Sequence, residues 1–271
     1  MTSRISKVFK DLKLEKRSAF IPYITAGDPD RNLSQMIFEA LPSGGADIIE
    51  LGMPFSDPMA DGPSIQESSL RSLDQGQDMN KTLNMVQIFR EKNKKTPIIL
   101  MGYFNPILQY GINSFLEECE KIGVDGLIIV DLPIEHSNEI CVPAQKLGID
   151  FINFITPTTN EERLKEIIKM SSGFLYFVSI AGITGTKAPD NKFIEKIINR
   201  VKENTDLPIG VGFGIKDPTQ VKEISDFSDA IVVGSAIVNE INSLKIKKLD
   251  NDLIVKNMID FLLKLSKPLK T

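Results

Sequence analysis

The residues best suited to chemistry lie in one stretch, from Glu50 to Pro63. Glu50 sits near the end of the apolar run Asp47-Ile48-Ile49-Glu50-Leu51-Gly52. Side chains alternate along a strand. If Ile49 and Leu51 face a helical layer, Ile48 and Glu50 face the interior. Burial without a partner is costly for a carboxylate and raises its pKa. Such a carboxyl can exchange protons near neutral pH. A salt-bridged structural glutamate would fit the same position, and position alone leaves both readings open. The loop Met53–Asp61 that follows is rich in proline and carboxylates. Asp61 could set a second carboxylate above the same opening, while Asp57 could hold the loop or meet a partner. Equally, both aspartates could stabilise turns or cap a helix starting near Pro63.

A second kind of chemistry is suggested by glycines further on. Gly212-Phe213-Gly214 and Gly234-Ser235 each close an apolar run. Glycine lets the backbone approach an anion, and free N–H groups at a helix start donate to its oxygens. The Ser235 hydroxyl adds a donor. One GxG is weak evidence, since glycines also make turns; two such sites at strand ends point more firmly to phosphate. Ala181-Gly182-Ile183-Thr184-Gly185-Thr186-Lys187 has the length and glycines of a lid, or of an ordinary surface loop. His136, the sole histidine, has no ligand cluster around it and reads as a solvated loop residue.

These candidates require a scaffold that brings strand ends together. Eight apolar runs alternate with amphipathic helical patterns: Ala19–Thr25, Ala46–Gly52, Pro97–Gly102, Gly126–Asp131, Asp150–Ile155, Phe174–Ser179, Pro208–Gly212 and Ala230–Gly234. Their continuous apolar character suits parallel strands covered by helices. Ile112, Phe115, Leu116, Cys119 and Ile122 follow helical spacing, as do Phe193, Ile194, Ile197, Ile198 and Val201. Thr159 and Glu162 have capping-box spacing, and Asp217-Pro218 reads as an N-cap with proline behind it. Asn242–Asp252 reads as a lysine-rich connection before the last helix. The expected fold is α/β, a TIM (β/α)8 barrel in one domain spanning 1–271, with its barrel core at about 18–265 and short extra helices. The 271-residue length agrees with the typical ~250 residues of such barrels. Active sites in that fold lie at the C-terminal ends of the strands.

Composition narrows the partners. The net charge of −4 argues against nucleic acid or an anionic membrane. Cys119 and Cys141 lack metal spacing and suggest a reducing compartment. No apolar run is long enough to span a bilayer, and the polar segment before Lys16 has no signal-peptide core. The Ile, Lys and Asn content fits a bacterial cytosol or a plastid stroma.

Taken together, the motifs resemble the tryptophan synthase alpha subunit family. The matching stretches are Pro22–Pro29, Glu50–Gly52 with Pro54–Pro58 and Ala60–Pro63, Tyr103 with Asn105-Pro106, Asp131–Pro133, Gly182–Gly185, Gly212–Ile215 and Gly234–Ala236. They cover residues 20–237. The glutamate-to-aspartate segment is the most specific. The resemblance implies a lyase that splits indole-3-glycerol phosphate into indole and glyceraldehyde 3-phosphate in the last step of tryptophan biosynthesis. Glu50 would be the general acid–base, and Asp61 would accept the indole N–H. Tyr23, Met101, Tyr103, Ile155, Tyr176 and Phe213 would surround the substrate, with Thr184 ordering the lid. Gly185, Gly214, Gly234 and Ser235 would hold the phosphate.

No metal or organic cofactor is implied for this chain; pyridoxal phosphate is expected only in a partner beta subunit, within an α2β2 heterotetramer. The loop Met53–Asp61, the loop after Tyr103 and the Asp131–Glu135 turn are the expected contact surfaces, with Phe104, Pro106 and Ile107 exposed or packed in the rim. Ile180, Ile183 and Met101 depart from the usual family residues. A sugar-phosphate isomerase or related synthase would call for a strand-end lysine or histidine, and the eight runs show no inward lysine there. A barrel that only activates a partner is the other rival, and retention of both carboxylates argues against it.

Overall fold

The computed structural model describes residues 3–178, 191–212 and 214–270. Parallel strands β1 (Ala19–Thr25), β2 (Ile49–Gly52), β3 (Ile98–Gly102), β4 (Gly126–Ile129), β5 (Asp150–Phe151), β6 (Phe154–Ile155), β7 (Leu175–Val178), β8 (Ile209–Gly212) and β9 (Ala230–Val233) pair in the order β5-β4-β3-β2-β1-β9-β8-β7-β6. The short pieces β5 and β6 are two ends of one stave. β5 pairs with β4 and β6 with β7. Between them, the Ile152 N–H donates to Leu127 at 3.0 Å, and the Asn153 carbonyl accepts from the Tyr176 N–H at 3.0 Å. The sheet therefore closes as an eight-stave barrel, as expected from the eight apolar runs.

The helices are α1 (Arg4–Glu15), α2 (Arg31–Ala40), α3 (Pro63–Asp74), α4 (Met79–Lys92), α5 (Phe104–Tyr110), α6 (Ile112–Ile122), α7 (Asn138–Lys146), α8 (Glu161–Met170), α9 (Asn191–Lys202), α10 (Pro218–Ser225), α11 (Ser235–Ile246) and α12 (Asn251–Ser266). Two apolar compartments result. Outward strand residues such as Ile49, Leu51, Leu100, Leu127 and Val211 join the helices in the larger one. Inward residues Ile21, Ile48, Ile99, Ile128, Ile152 and Val232 fill the barrel. The floor is closed by α1, whose Ile5, Phe9 and Leu12 pack into that inner cluster.

The floor is also rich in satisfied charge. Asp47, Asp125 and Asp229, each just ahead of a strand, accept the N–H of Phe20, Ile98 and Ile209 on the preceding strand, at 2.9, 2.8 and 2.9 Å. Arg17 makes a two-pronged pair with Asp47, and Asp125 binds both Arg90 at 2.6 Å and Arg4 at 2.7 Å. Removing one partner from a buried pair of this kind would strand the other charge.

Several local expectations change. α8 is capped by Asn160, which accepts from the Arg163 N–H at 2.8 Å; Thr159 instead accepts from the Thr156 N–H. Asp217 caps α10 as expected. Phe193 is 50% exposed, because the buried stripe of α9 is centred on Ile194, Ile197, Ile198 and Val201. α11 continues to Ile246, so the connection before α12 is shorter than its lysines suggest.

Candidate functional site

The barrel mouth takes its shape from inward residues near the strand ends. Tyr23 on β1 and Glu50 on β2 are register partners. Met101 of β3, Val130 beyond β4, Phe154 of β6 and Tyr176 of β7 pack against the inner cluster from the same side. Two glycines make room for the large rings. A Cβ on Gly52 would lie 2.1 Å from the Tyr23 hydroxyl, and one on Gly212 would lie 2.1 Å from that of Tyr176.

Glu50 faces inward, as the alternation predicts, and is 1% exposed. Its Oε1 is buried with no hydrogen-bond partner among the described residues. Burial first, then the nearby Asp61 charge, lift its pKa from the ordinary 4.5 to about 8. Asp61 rises to about 6, raised by burial and held back by a hydrogen bond with Tyr103. The two carboxyls thus share one site and are electrostatically coupled. At neutral pH the first is mainly protonated and the second mainly ionised. Environments that push two carboxyls apart in this way assign one as acid and leave the other charged.

The loop between them is held from within the barrel rim. The Tyr103 hydroxyl accepts the Ala60 N–H at 3.0 Å, and its ring tilts against Phe55 at 5.2 Å between centroids. The Gln66 side chain donates to the Asp61 carbonyl at 2.8 Å. Gly62, without a side-chain cap bond, is the N-cap of α3, so Asp61 is not spent on capping. Asp57 accepts from Ser56 at 2.5 Å on the exposed side of the loop.

At the same mouth, two staves from β2, Gly234 is the N-cap of α11 and Ser235 its first residue. Gly214 has φ +71°, a left-handed conformation that favours glycine. A helix start beside a permissive turn can present N–H donors to an anion.

One expected pocket residue belongs elsewhere. Ile155 is 1% exposed and packs in the outer, helix-facing compartment. Its neighbour Phe154 points inward instead and meets Tyr176 edge-on, with ring centroids 5.2 Å apart. The error is one of strand face: a single step reverses the direction of every side chain. Ile107 is likewise fully buried, leaving Phe104 and Pro106 partly covered and Leu108 51% exposed. Thr184, Gly185 and Phe213, with Ile180 and Ile183, lie outside the described residues. His136 is exposed, and no metal-ligating cluster occurs among the described residues.

A closed parallel barrel with a coupled acid and carboxylate at its mouth defines an acid–base enzyme of the (β/α)8 class. The family described as tryptophan synthase alpha chain matches residues 9–262. Among solved structures, the tryptophan synthase alpha subunit of Legionella pneumophila str. Paris is 37% identical, with a TM-score of 0.92 and coverage of 99% of each chain. The alpha chain from Legionella pneumophila subsp. pneumophila is 36% identical, with a TM-score of 0.91, covering 99% of this chain and 98% of that one. A chain of Mycobacterium tuberculosis tryptophan synthase is 29% identical, with a TM-score of 0.88 and full coverage of both. The chain belongs to the tryptophan synthase alpha chain family. It is a lyase of tryptophan biosynthesis that cleaves indole-3-glycerol phosphate to indole and glyceraldehyde 3-phosphate.

Proposed function

We propose that Glu50 and Asp61 carry the cleavage as a proton donor–acceptor and a charge stabiliser. Glu50, protonated at neutral pH, gives its proton to the ring carbon that bears the glycerol chain. Positive charge then develops on the ring nitrogen, and the ionised Asp61 stabilises it through the N–H. The Glu50 carboxylate next takes the proton from the hydroxyl on the adjacent side-chain carbon. As that hydroxyl becomes a carbonyl, the carbon–carbon bond breaks and its electrons return to the ring. One proton has moved from oxygen to carbon by way of Glu50, so the balance needs no oxidant or metal.

Tyr23, Met101, Phe154 and Tyr176 surround the indole in this reading, with Phe154 in the role first expected of Ile155. Tyr103 steadies the Asp61 loop. Gly214, Gly234 and Ser235, with Gly185 and Thr184 from the expected lid and Phe213, complete the substrate contacts. The supporting observation is the buried Glu50 oxygen, without a partner among the described residues and coupled to the charge of Asp61. The direct test is indole release by Glu50→Gln. A loss of at least about a thousandfold in kcat with a normal fold is expected; normal cleavage would refute the assignment.

The chain would act beside a beta subunit in an α2β2 assembly, in a bacterial cytosol or plastid stroma. The loop holding Asp57 and the 77%-exposed Met59 would face that subunit. Added beta subunit should accelerate indole release and co-elute with the chain in gel filtration.

A further inference from the structure

Helix α3, which begins two residues after Asp61, docks differently from α6. Its buried residues are Ser68, Ser69 and Ser72, whereas α6 buries Phe115, Leu116, Cys119 and Ile122. Leu70 of α3 is 53% exposed. The inward face of α3 is therefore polar, and its partners lie at the end of β1. Ser68 Oγ is 2.6 Å from the Thr25 hydroxyl, and Ser72 donates to the Ala26 carbonyl at 2.5 Å. Arg71 clasps the buried Asp28 carboxylate through two bonds of 2.7 and 2.9 Å. Residues 68, 71 and 72 have the spacing that places side chains on one helical face.

The hydroxyls continue into the substrate pocket. The Thr25 hydroxyl is also 3.2 Å from that of Tyr23. Each hydroxyl has one proton to give. Ser68 donates to the Ile65 carbonyl at 2.8 Å. Thr25 must then donate to Ser68, and Tyr23 to Thr25. The Tyr23 oxygen is left with only lone pairs for the barrel mouth. One directed chain thus joins the pocket wall to the first turn of the helix that carries the Asp61 loop.

Apolar packing is non-directional and tolerates small slides, whereas hydrogen bonds weaken steeply with misalignment. A buried hydroxyl that slips out of register also has no water to replace its partner. We propose that Thr25 and Ser68 are positioning residues for the cleavage, holding α3, and hence Asp61, in register with Tyr23 and the pocket. The inference rests on the catalytic reading of Asp61 above. It gives the polar face of α3 a purpose that stability alone does not require.

The test compares Thr25→Val, which keeps the shape but ends the chain, with Thr25→Ser, which restores the hydroxyl. Steady-state indole release from Thr25→Val should show kcat reduced about tenfold or more, as expected for a misplaced catalytic group, with KM within about twofold. Thr25→Ser should stay near wild type in both. Amide hydrogen exchange over residues 60–66 should quicken in Thr25→Val and not in Thr25→Ser. That second readout judges the positioning chain even if the catalytic roles fail their own test with Glu50→Gln. Should Thr25→Val not fold, Ser68→Ala breaks the same bond from the other side and should give the same pattern. Unchanged kcat and exchange in the hydroxyl-free variant, or equal impairment in Thr25→Ser, would overturn the proposal.

Discussion

Asp47 and Asp125 at the barrel floor and Glu50 and Asp61 at its mouth hold their carboxyl groups in opposite ways. At the floor, Asp47 and Asp125 accept a backbone N–H and pair with arginine. At the mouth, Glu50 has a buried oxygen without a partner among the described residues, and burial of both Glu50 and Asp61 dominates their raised pKa values. The same chemical group serves as a fastener at one end and as a reactive group at the other. What separates Glu50 from the floor carboxylates is that no donor among the described residues reaches its buried Oε1. Fastening carboxylates are stable when ionised; a carboxyl that must hand over a proton near neutral pH cannot be so well served.

Mutations that exchange these roles should break the comparison in opposite directions. Asp125→Asn leaves Arg90 and Arg4 without their shared anion. Breaking a buried pair on one side costs about 3–5 kcal/mol, so urea unfolding should show a loss in that range. Catalytic constants of the still-folded fraction should change little. Asp61→Asn should do the reverse, lowering kcat by about a hundredfold or more while unfolding free energy stays level or rises. If Asp61→Asn destabilised as Asp125→Asn does, the aspartate would be a fastener after all.

A smaller pair of changes sharpens the boundary between the inner and outer compartments. Ile155→Val should cost about 1 kcal/mol of stability in denaturant titration and leave KM unchanged. Phe154→Leu should raise KM for indole-3-glycerol phosphate several-fold, since it trims an inward ring beside Tyr176. A KM effect at residue 155 with none at 154 would reverse the strand-face assignment.

The same contrast explains what could be read from the sequence. The eight staves were legible because each is a nearly continuous apolar run, and β1 has the expected bounds Ala19–Thr25. Glu50 was legible because it interrupts such a run at a position whose neighbours fix its direction. Phe151-Ile152-Asn153-Phe154-Ile155 lacks that alternation, and both of its last two residues are apolar. Nothing local then says which faces the pocket, and the fold turns Ile155 outward.

The floor network leaves only a trace in the sequence. Ala46-Asp47, Val124-Asp125 and Ser228-Asp229 each place an aspartate just ahead of a strand. The arginine partners of Asp47 and Asp125 lie elsewhere in the chain, and only the closed barrel brings Arg4 and Arg90 to Asp125. The polar face of α3 was hidden for a related reason. Serines on a helix read as solvent-facing until the end of β1 supplies their partners.

The difference between the two ends can be measured most directly as stability against pH, in wild type and in Glu50→Gln. Glu50 has a native pKa of about 8 against an ordinary 4.5. Between those values the native state keeps a proton that the unfolded chain releases. Stability from this group is fully present below 4.5, falls as pH rises through the window, and levels off above 8. Wild type should therefore lose stability relative to Glu50→Gln across that interval, by up to about 1.4 kcal/mol per pH unit. Parallel curves for the two proteins would contradict the account, because they would mean that Glu50 ionises in the folded barrel as readily as it does in the unfolded chain.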